Sequence, residues 1–207
     1  MINNNQDSYF LLFRFTMKNI SSLRKINNFE KRNLIQSLSK IGPILLNYLN
    51  RTKINLYILE NNLLKINPRI FLVESKLVNL ADKLNRRANI VHLGVYFGFF
   101  NKNVFLLSLE GAEFLHKNKM FPENQKIIVN DIGEKSILYG NNLTKKMIVK
   151  FPEFPRKNDL VLIQNKNNEI LALARLSINP KEFNKLLPNE YIATTLKDKG
   201  YYLRSKQ

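Results

Sequence analysis

Lys126–Lys150, KIIVNDIGEKSILYGNNLTKKMIVK, is the stretch whose reading decides the fold of the second half of this chain. Lys126–Val129 is rich in β-branched side chains and predicts a strand. Glu134–Tyr139 places Ile137 and Leu138 on one side of a short helix. Gly140 then stands where a helix C-terminus favours a left-handed residue, a conformation glycine adopts without a Cβ clash. Asn141 and Asn142 continue the turn, and Met147–Lys150 predicts the next strand. The unit is strand, helix, glycine turn, strand. Downstream of Gly140 the chain holds one further glycine, Gly200.

Toward the C-terminus, Phe151–Asp159 (FPEFPRKND) carries two prolines and reads as a loop. Leu160–Gln164 and Ile170–Ile178 predict strands joined by a hairpin turn at Asn165–Asn168. Asn179-Pro180 opens a helical turn that sets Lys181 and Lys185 one turn apart on one face. Tyr201–Leu203 is expected to close the chain as a strand. Short strands punctuated by turns predict a small β-barrel. A domain boundary falls near Lys117–Gln125, KNKMFPENQ, where a charge run meets Pro122.

Toward the N-terminus, Leu34, Leu38 and Ile41 predict an amphipathic helix over Phe29–Ile41. Gly42-Pro43 interrupts it, and Pro43 suits the first turn of a second helical stretch, Ile44–Leu49. Ile54–Leu59 and Ile70–Val73 read as strands, separated by turns at Asn61-Asn62 and Asn67-Pro68. Ser75–Leu84 returns to helical spacing, with Arg86-Arg87 at its end. That pair suits either the helix dipole or a phosphate. In Val91–Phe100, Gly94 and Gly98 among aromatic residues predict a strand approached closely by its neighbour. Phe105–Leu109 completes a hairpin through Asn101–Asn103, and Glu110–Leu115 is a short helix. Residues 1–24 form an N-terminal extension. Its apolar Tyr9–Phe15 is interrupted by Arg14 and is too short to span a bilayer. It reads as sequence ahead of a start at Met17, or as an edge strand or docking segment. The expected organisation is thus α+β, with an N-terminal α/β domain over 25–120 (antiparallel sheet, flanking helices) and a C-terminal barrel over 121–207.

The 207 residues carry a formal charge of +17, and no cysteine. The basic excess is +2 in residues 1–24, +9 in 25–120 and +6 in 121–207, so it belongs to the folded parts. A polyanion, most often nucleic acid, is the partner such charge implies. Drift in AT-rich coding DNA, which favours Asn, Lys and Ile, is the competing explanation. Without cysteine there are no disulfides, thiolate metal sites or cysteine nucleophiles. No phosphate loop, dinucleotide fingerprint, zinc-protease motif or nucleophile elbow is present. His92 and His116 have no partner at metal spacing and read as structural. Neither a cofactor nor a small-molecule substrate is implied, and the chain is expected not to be an enzyme. The binding signals are basic side chains for phosphates and a glycine for close backbone approach.

The 126–150 segment resembles the opening of a PUA domain, an RNA-binding module. Ser136–Asn141 (SILYGN) with Lys145 is similar to the C-terminal half of the Nip-seven family of ribosome-biogenesis factors. Leu93, Gly94, Phe97, Gly98 and Phe100 resemble that family's LGxxFGxF segment, and Asp198, Gly200, Tyr202 and Arg204 its DxGxYxR ending. Together the matches run from about Lys25 to Arg204, in the family's order. The resemblance implies a PUA-like barrel over 121–207 that binds precursor rRNA, and an N-terminal domain that docks assembly factors of the pre-ribosomal particle. The implied role is biogenesis of the large (60S-type) subunit and pre-rRNA processing, in the nucleolus of a eukaryote or the cytoplasm of an archaeon. Arg175 and Lys181 are the RNA contacts it implies most directly; Lys185, Lys145, Lys146 and Gly140 complete the expected site. Two positions depart from the family: its second glycine is replaced by Lys146-Met147, and its GFG strand by Ala172-Leu173-Ala174. An accessory of an RNA-modifying enzyme and a protein-docking adaptor on the ribosome are the alternatives. Against the first, Asp82 is the one aspartate in residues 25–120 and lies in a helical pattern.

Overall fold

A computed structural model describes residues 21–61, 67–85, 90, 92–152 and 155–204. The chain forms two compact units, dividing between Leu107 and Ser108. The Arg86-Arg87 pair, Tyr9–Phe15 and the Asn62 end of the expected turn lie outside the described residues.

The first unit opens with strand β1 (Ser21–Lys25), followed by helix α1 (Asn28–Ser37) and helix α2 (Ile41–Arg51). Asn27 starts α1 through a capping box: its side chain accepts from Glu30 N at 2.8 Å, and the Glu30 carboxylate accepts from Asn27 N at 2.9 Å. Pro43 sits in the first turn of α2, where its missing N–H has no helical partner to lose. Strands β2 (Ile54–Asn61) and β3 (Arg69–Glu74), helix α3 (Ser75–Asn85), and strands β4 (Val95–Asn101) and β5 (Val104–Leu107) follow. The sheet order is β1-β2-β3-β4-β5, antiparallel throughout.

Both faces of this sheet are covered. Tyr57, Leu59, Phe71 and Val73 pack with Leu77 and Val78 of α3. Their alternating neighbours Leu56, Ile58, Ile70 and Leu72 are equally buried and face the opposite side. There α1 packs on β5, and Phe105 N donates to Ser37 Oγ at 3.0 Å. The expected close approach at the glycines is present. A Cβ on Gly98, at φ 152°, would fall on the Leu106 carbonyl oxygen and the Phe105 ring; one on Gly94 would meet Leu72 O. Phe97 stacks on Phe105 at 5.4 Å, so the LGxxFGxF segment packs the β3–β4–β5 sheet.

The second unit begins with helix α4 (Leu109–Lys117), capped by Ser108, whose Oγ accepts from Gly111 N at 2.9 Å. The sequence placed this helix with the first domain; here it contacts the strands of the second unit. Strand β6 (Lys126–Val129), helix α5 (Asp131–Leu138), strands β7 (Leu143–Thr144), β8 (Ile148–Lys150), β9 (Leu160–Gln164), β10 (Ile170–Leu176) and β11 (Tyr191–Asp198), and the four-residue helix α6 (Tyr201–Arg204) complete it. The sheet order is β7-β11-β10-β9-β6-β8, antiparallel except for β6 with β9. Its two edge strands, β7 and β8, are separated in the chain by one 3₁₀ turn, Lys145–Met147. A sheet whose edges are chain neighbours must curl, and the result is a nearly closed barrel. Ile127, Val129, Ile137, Leu143, Val161, Ile163, Ala172, Ala174 and Ile192 fill it.

Two local expectations are corrected. Tyr201–Arg204 is a helical turn and not a strand, and the eight-residue β11 was not foreseen. The close packing in the first unit predicts that Gly98→Ala, which adds a methyl against backbone at positive φ, destabilises it by about 2 kcal/mol or more in urea unfolding.

Candidate nucleic-acid interface

The barrel-closing turn determines where the expected site residues stand. Asn130 caps α5 by accepting from Gly133 N at 2.9 Å, while its Nδ2 donates to Lys146 O and its N to Met147 O, each at 2.9 Å. On the other side, Lys145 N donates to Glu190 O at 3.1 Å and Lys146 N to Pro188 O at 2.8 Å. The Lys145 ammonium donates to Asn184 O at 3.1 Å and Leu186 O at 2.6 Å. It also stands 5.5 Å from the Phe183 ring, which stacks on Phe151 at 4.2 Å. Lys145 therefore ties the segment after β10 to the closure of the barrel. Lys146, exposed beside it, points its charge to solvent.

Gly140 has φ 82°, and its N–H donates to Ile137 O at 2.8 Å, ending α5 as the sequence required. The group that approaches it is internal. A Cβ there would come within 2.8 Å of Arg204 Nη2. Arg204 donates through Nη1 to Leu138 O and through Nη2 to Asp198 Oδ2 at 3.0 Å. A Cβ on Gly200 would strike the same Leu138 carbonyl. Asp198, Gly200 and Arg204 thus form a lock on the C-terminus of α5, with the cation at the negative end of the helix dipole. This gives the DxGxYxR ending a structural task.

Arg175 is the exposed residue of an otherwise buried β10. Its Nη1 donates to Asn158 O at 2.9 Å, and Asn158 N donates to Leu176 O at 2.9 Å. These bonds bring the loop with exposed Arg156 and Lys157 to the end of β10. That basic pair was passed over as loop in the sequence; its adjacency to Pro155 on a surface loop was the available signal. Lys181 and Lys185 lie on Pro180–Lys185, which is a 3₁₀ segment capped by Asn179. At three residues per turn, positions four apart diverge by about 120°, so the two lysines do not share one face as an α-helical turn would have them. Both are exposed.

The charges of the second unit are sorted. Lys126, Lys166, Lys199 and Arg204 pair with Glu123, Asp131, Glu113 and Asp198 respectively. Arg156, Lys157, Arg175, Lys181 and Lys185 make no side-chain ion pair among the described residues, and neither do Lys117, Lys119, Lys135, Lys146, Lys150 and Lys197; the Asp159 carboxylate accepts from Arg156 N at 2.9 Å. The Lys126 ammonium holds the Glu123 carboxyl below the usual range, and Lys166 does the same for Asp131. In the first unit, Arg24 bridges Glu30 and Glu60 at 2.6 Å each, lowering Glu30. Of the two histidines, His92 contacts Gly94 O at 2.9 Å and sits edge-on to Phe71. His116 lies beside Gln164 and is held below the ordinary imidazole value, first by burial and then by Lys126. Among the described residues no cluster of histidine, aspartate or glutamate could hold a metal, and no helix is long and apolar enough to cross a membrane.

Residues 125–207 match the family model of the UPF0113 PUA domain. The chain is 27% identical over 139 residues to the 60S ribosome subunit biogenesis protein nip7 of Schizosaccharomyces pombe, covering 67% of this chain and 74% of that one. The NIP7 homolog of Danio rerio is 28% identical over 141 residues, covering 68% and 76%. The Nip-seven resemblance carried by the three motifs is thereby borne out. A tRNA-guanine(15) transglycosylase of Methanosphaera stadtmanae is 31% identical over 106 residues, which span 51% of this chain but 15% of that enzyme. In fold, a hypothetical protein of Pyrococcus horikoshii superposes with TM-score 0.58 at 14% identity, over 88% of this chain and 99% of that one. A PUA domain protein of Thermoplasma acidophilum gives 0.51 at 15% identity, over 89% and 99%. These two solved structures share the α+β fold of this chain, and the second is named for its PUA domain.

The C-terminal lock makes its own prediction. Arg204→Met leaves the Asp198 carboxylate buried without its cation, and is expected to cost about 2 kcal/mol of stability in denaturant unfolding. An unchanged midpoint would show that the lock is not holding α5.

Proposed function

We propose that this chain is a non-catalytic RNA-binding factor in the assembly of the large ribosomal subunit, with its PUA barrel holding precursor rRNA. The observation that carries this reading is the set of exposed cations, Arg156, Lys157, Arg175, Lys181 and Lys185, which make no side-chain ion pair among the described residues and lie on the end of β10, the loop bonded to it and the Pro180–Lys185 segment. Phosphates attract such side chains, and release of condensed counterions drives binding. Lys146 adds a further exposed charge beside the barrel closure. The similarity to proteins named for 60S subunit biogenesis supports the ribosomal context, and with it partners among the proteins of the pre-ribosomal particle. In a eukaryote the work would be nucleolar. The five-stranded first unit, covered on both faces, is the part we assign to docking assembly factors.

In this mechanism no bond is made or broken. Arg175, oriented by Asn158 O, presents its fork to a phosphate, and the lysines follow the backbone of an irregular strand as point charges. Lys145 acts through the fold, by keeping the Pro180–Lys185 segment in place. The accessory reading draws on the transglycosylase similarity, and would require a catalytic partner chain.

Affinity for a precursor-rRNA fragment across a salt series tests the reading. Arg175→Ala/Lys181→Ala is expected to weaken binding and to flatten the log–log salt slope by about 1.4, at roughly 0.7 for each phosphate contact on a single strand. Lys145→Met is expected instead to lower the unfolding midpoint while a folded sample keeps the wild-type slope. An unchanged slope in the double variant, or no binding by the wild type, would overturn the assignment.

A further inference from the structure

In the β10–β11 ladder Arg175 stands directly across from Thr194. Their side chains therefore leave the same face of the barrel, with Cβ atoms about 5 Å apart. Beside them, Ser177 Oγ and Thr194 Oγ1 are hydrogen-bonded at 3.2 Å. Thr194 is exposed and Ser177 half-buried. Ser177 N donates to Ile192 O at 2.9 Å, so the Ser177 hydroxyl is not required by its own backbone N–H. A cation and a linked pair of hydroxyls thus share one solvent-facing patch.

We propose that this patch is a seat for a single ribonucleotide, in which Arg175 takes the phosphate and the Ser177–Thr194 pair takes the ribose 2′-hydroxyl. The inference rests on the RNA-binding reading above and deepens it, by giving the surface a means of preferring RNA to DNA. The chemistry separates the two roles. A guanidinium donates only, and a phosphate accepts only. Each hydroxyl has one donor and two acceptor sites, and the mutual bond uses one of the pair's two protons. One donor and several lone pairs remain, which matches a group that itself both donates and accepts, as the 2′-hydroxyl does. The bond from Arg175 Nη1 to Asn158 O, which precedes β9, tethers one edge of the guanidinium and leaves its other N–H groups for a phosphate. The direct pairing of Arg175 and Thr194 matches the short step from a nucleotide's phosphate to its own sugar. Deoxyribose would leave the hydroxyl pair facing hydrogen-bond partners it cannot find.

The test compares a uridine oligoribonucleotide with a deoxyuridine oligomer of equal length, both bound to the full chain. Thr194→Val/Ser177→Ala keeps side-chain volume and strand preference nearly intact, and thermal unfolding checks that it is folded. The double variant is expected to lose about two- to tenfold in RNA affinity, the worth of one neutral hydrogen bond, with unchanged DNA affinity and unchanged salt slope. Thr194→Ser, which keeps the hydroxyl, should retain the RNA preference. Arg175→Ala should weaken both polymers together and flatten both salt slopes. Equal losses on RNA and DNA in the hydroxyl variant, or no loss on either, would overturn the ribose seat. If Arg175→Ala still weakens both, the phosphate contact and the RNA-binding reading survive that result. A wild type that binds neither polymer overturns both.

Discussion

The second unit depends on one constraint: the two edge strands of its sheet, Leu143–Thr144 and Ile148–Lys150, are three residues apart in the chain. An open six-stranded sheet with that connection must bend until its edges meet. The turn that joins them is held from one side by Asn130 and from the other by the backbone at Pro188 and Glu190. Curling buries Ile127, Ile137, Leu143, Ile163 and Ile192 in one core. It also requires small side chains where the wall is most crowded, and Ala172 and Ala174 are fully buried there. Met147 and Val129 abut the position a Cβ would take on Gly133. Lys146-Met147 and Ala172-Leu173-Ala174, where the Nip-seven resemblance leads one to expect glycines, are thus accommodated in a packed barrel.

Closure also sorts the basic residues. A lysine near the turn can reach carbonyls on the far side, and Lys145 does so at Asn184 and Leu186. Carboxylates around α4 and α5 take Lys126, Lys166 and Lys199. The end of β10 with its neighbouring loop, and the 3₁₀ segment that Lys145 anchors, carry five of the cations left facing solvent; Lys135, Lys146, Lys150 and Lys197 are others. A net charge of +17 is thus an average over paired, tethered and solvent-facing cations. The last group is the one that can meet a polyanion.

Much of the fold was legible because its signals were local. The Asn165–Asn168 hairpin, the helix ending at Gly140, and the β4–β5 pairing with its buried glycine all follow from short patterns read in place. Tyr191–Asp198 was missed because YIATTLKD mixes polar and apolar residues on a strand whose two neighbours, β7 and β10, lie at different sequence distances. Tyr201–Arg204 looked like a strand from its aromatic residues, yet Gly200 packs against the Leu138 carbonyl and Arg204 donates to it, and those tertiary contacts favour a helical turn. The site was legible in residue type more than in role. Lys145 and Lys185 look alike in sequence; only the fold shows that one charge is tethered to backbone carbonyls and the other faces solvent. Gly140 was read correctly as a helix terminator, but the group it admits is a side chain some sixty residues downstream, which no local pattern reveals.

In the proposed function RNA meets the barrel at the Arg156–Asp159 loop, the end of β10 and the Pro180–Lys185 segment, while the Gly140–Arg204 lock serves the fold. Amide hydrogen exchange, with and without a bound uridine-rich strand, separates these two regions in one experiment. RNA bound there slows exchange at Arg156–Asp159, Arg175–Ile178 and Lys181–Lys185 and leaves Tyr139–Asn141 and Lys199–Arg204 unchanged. Protection concentrated at Tyr139–Asn141, with none at the end of β10, would contradict it.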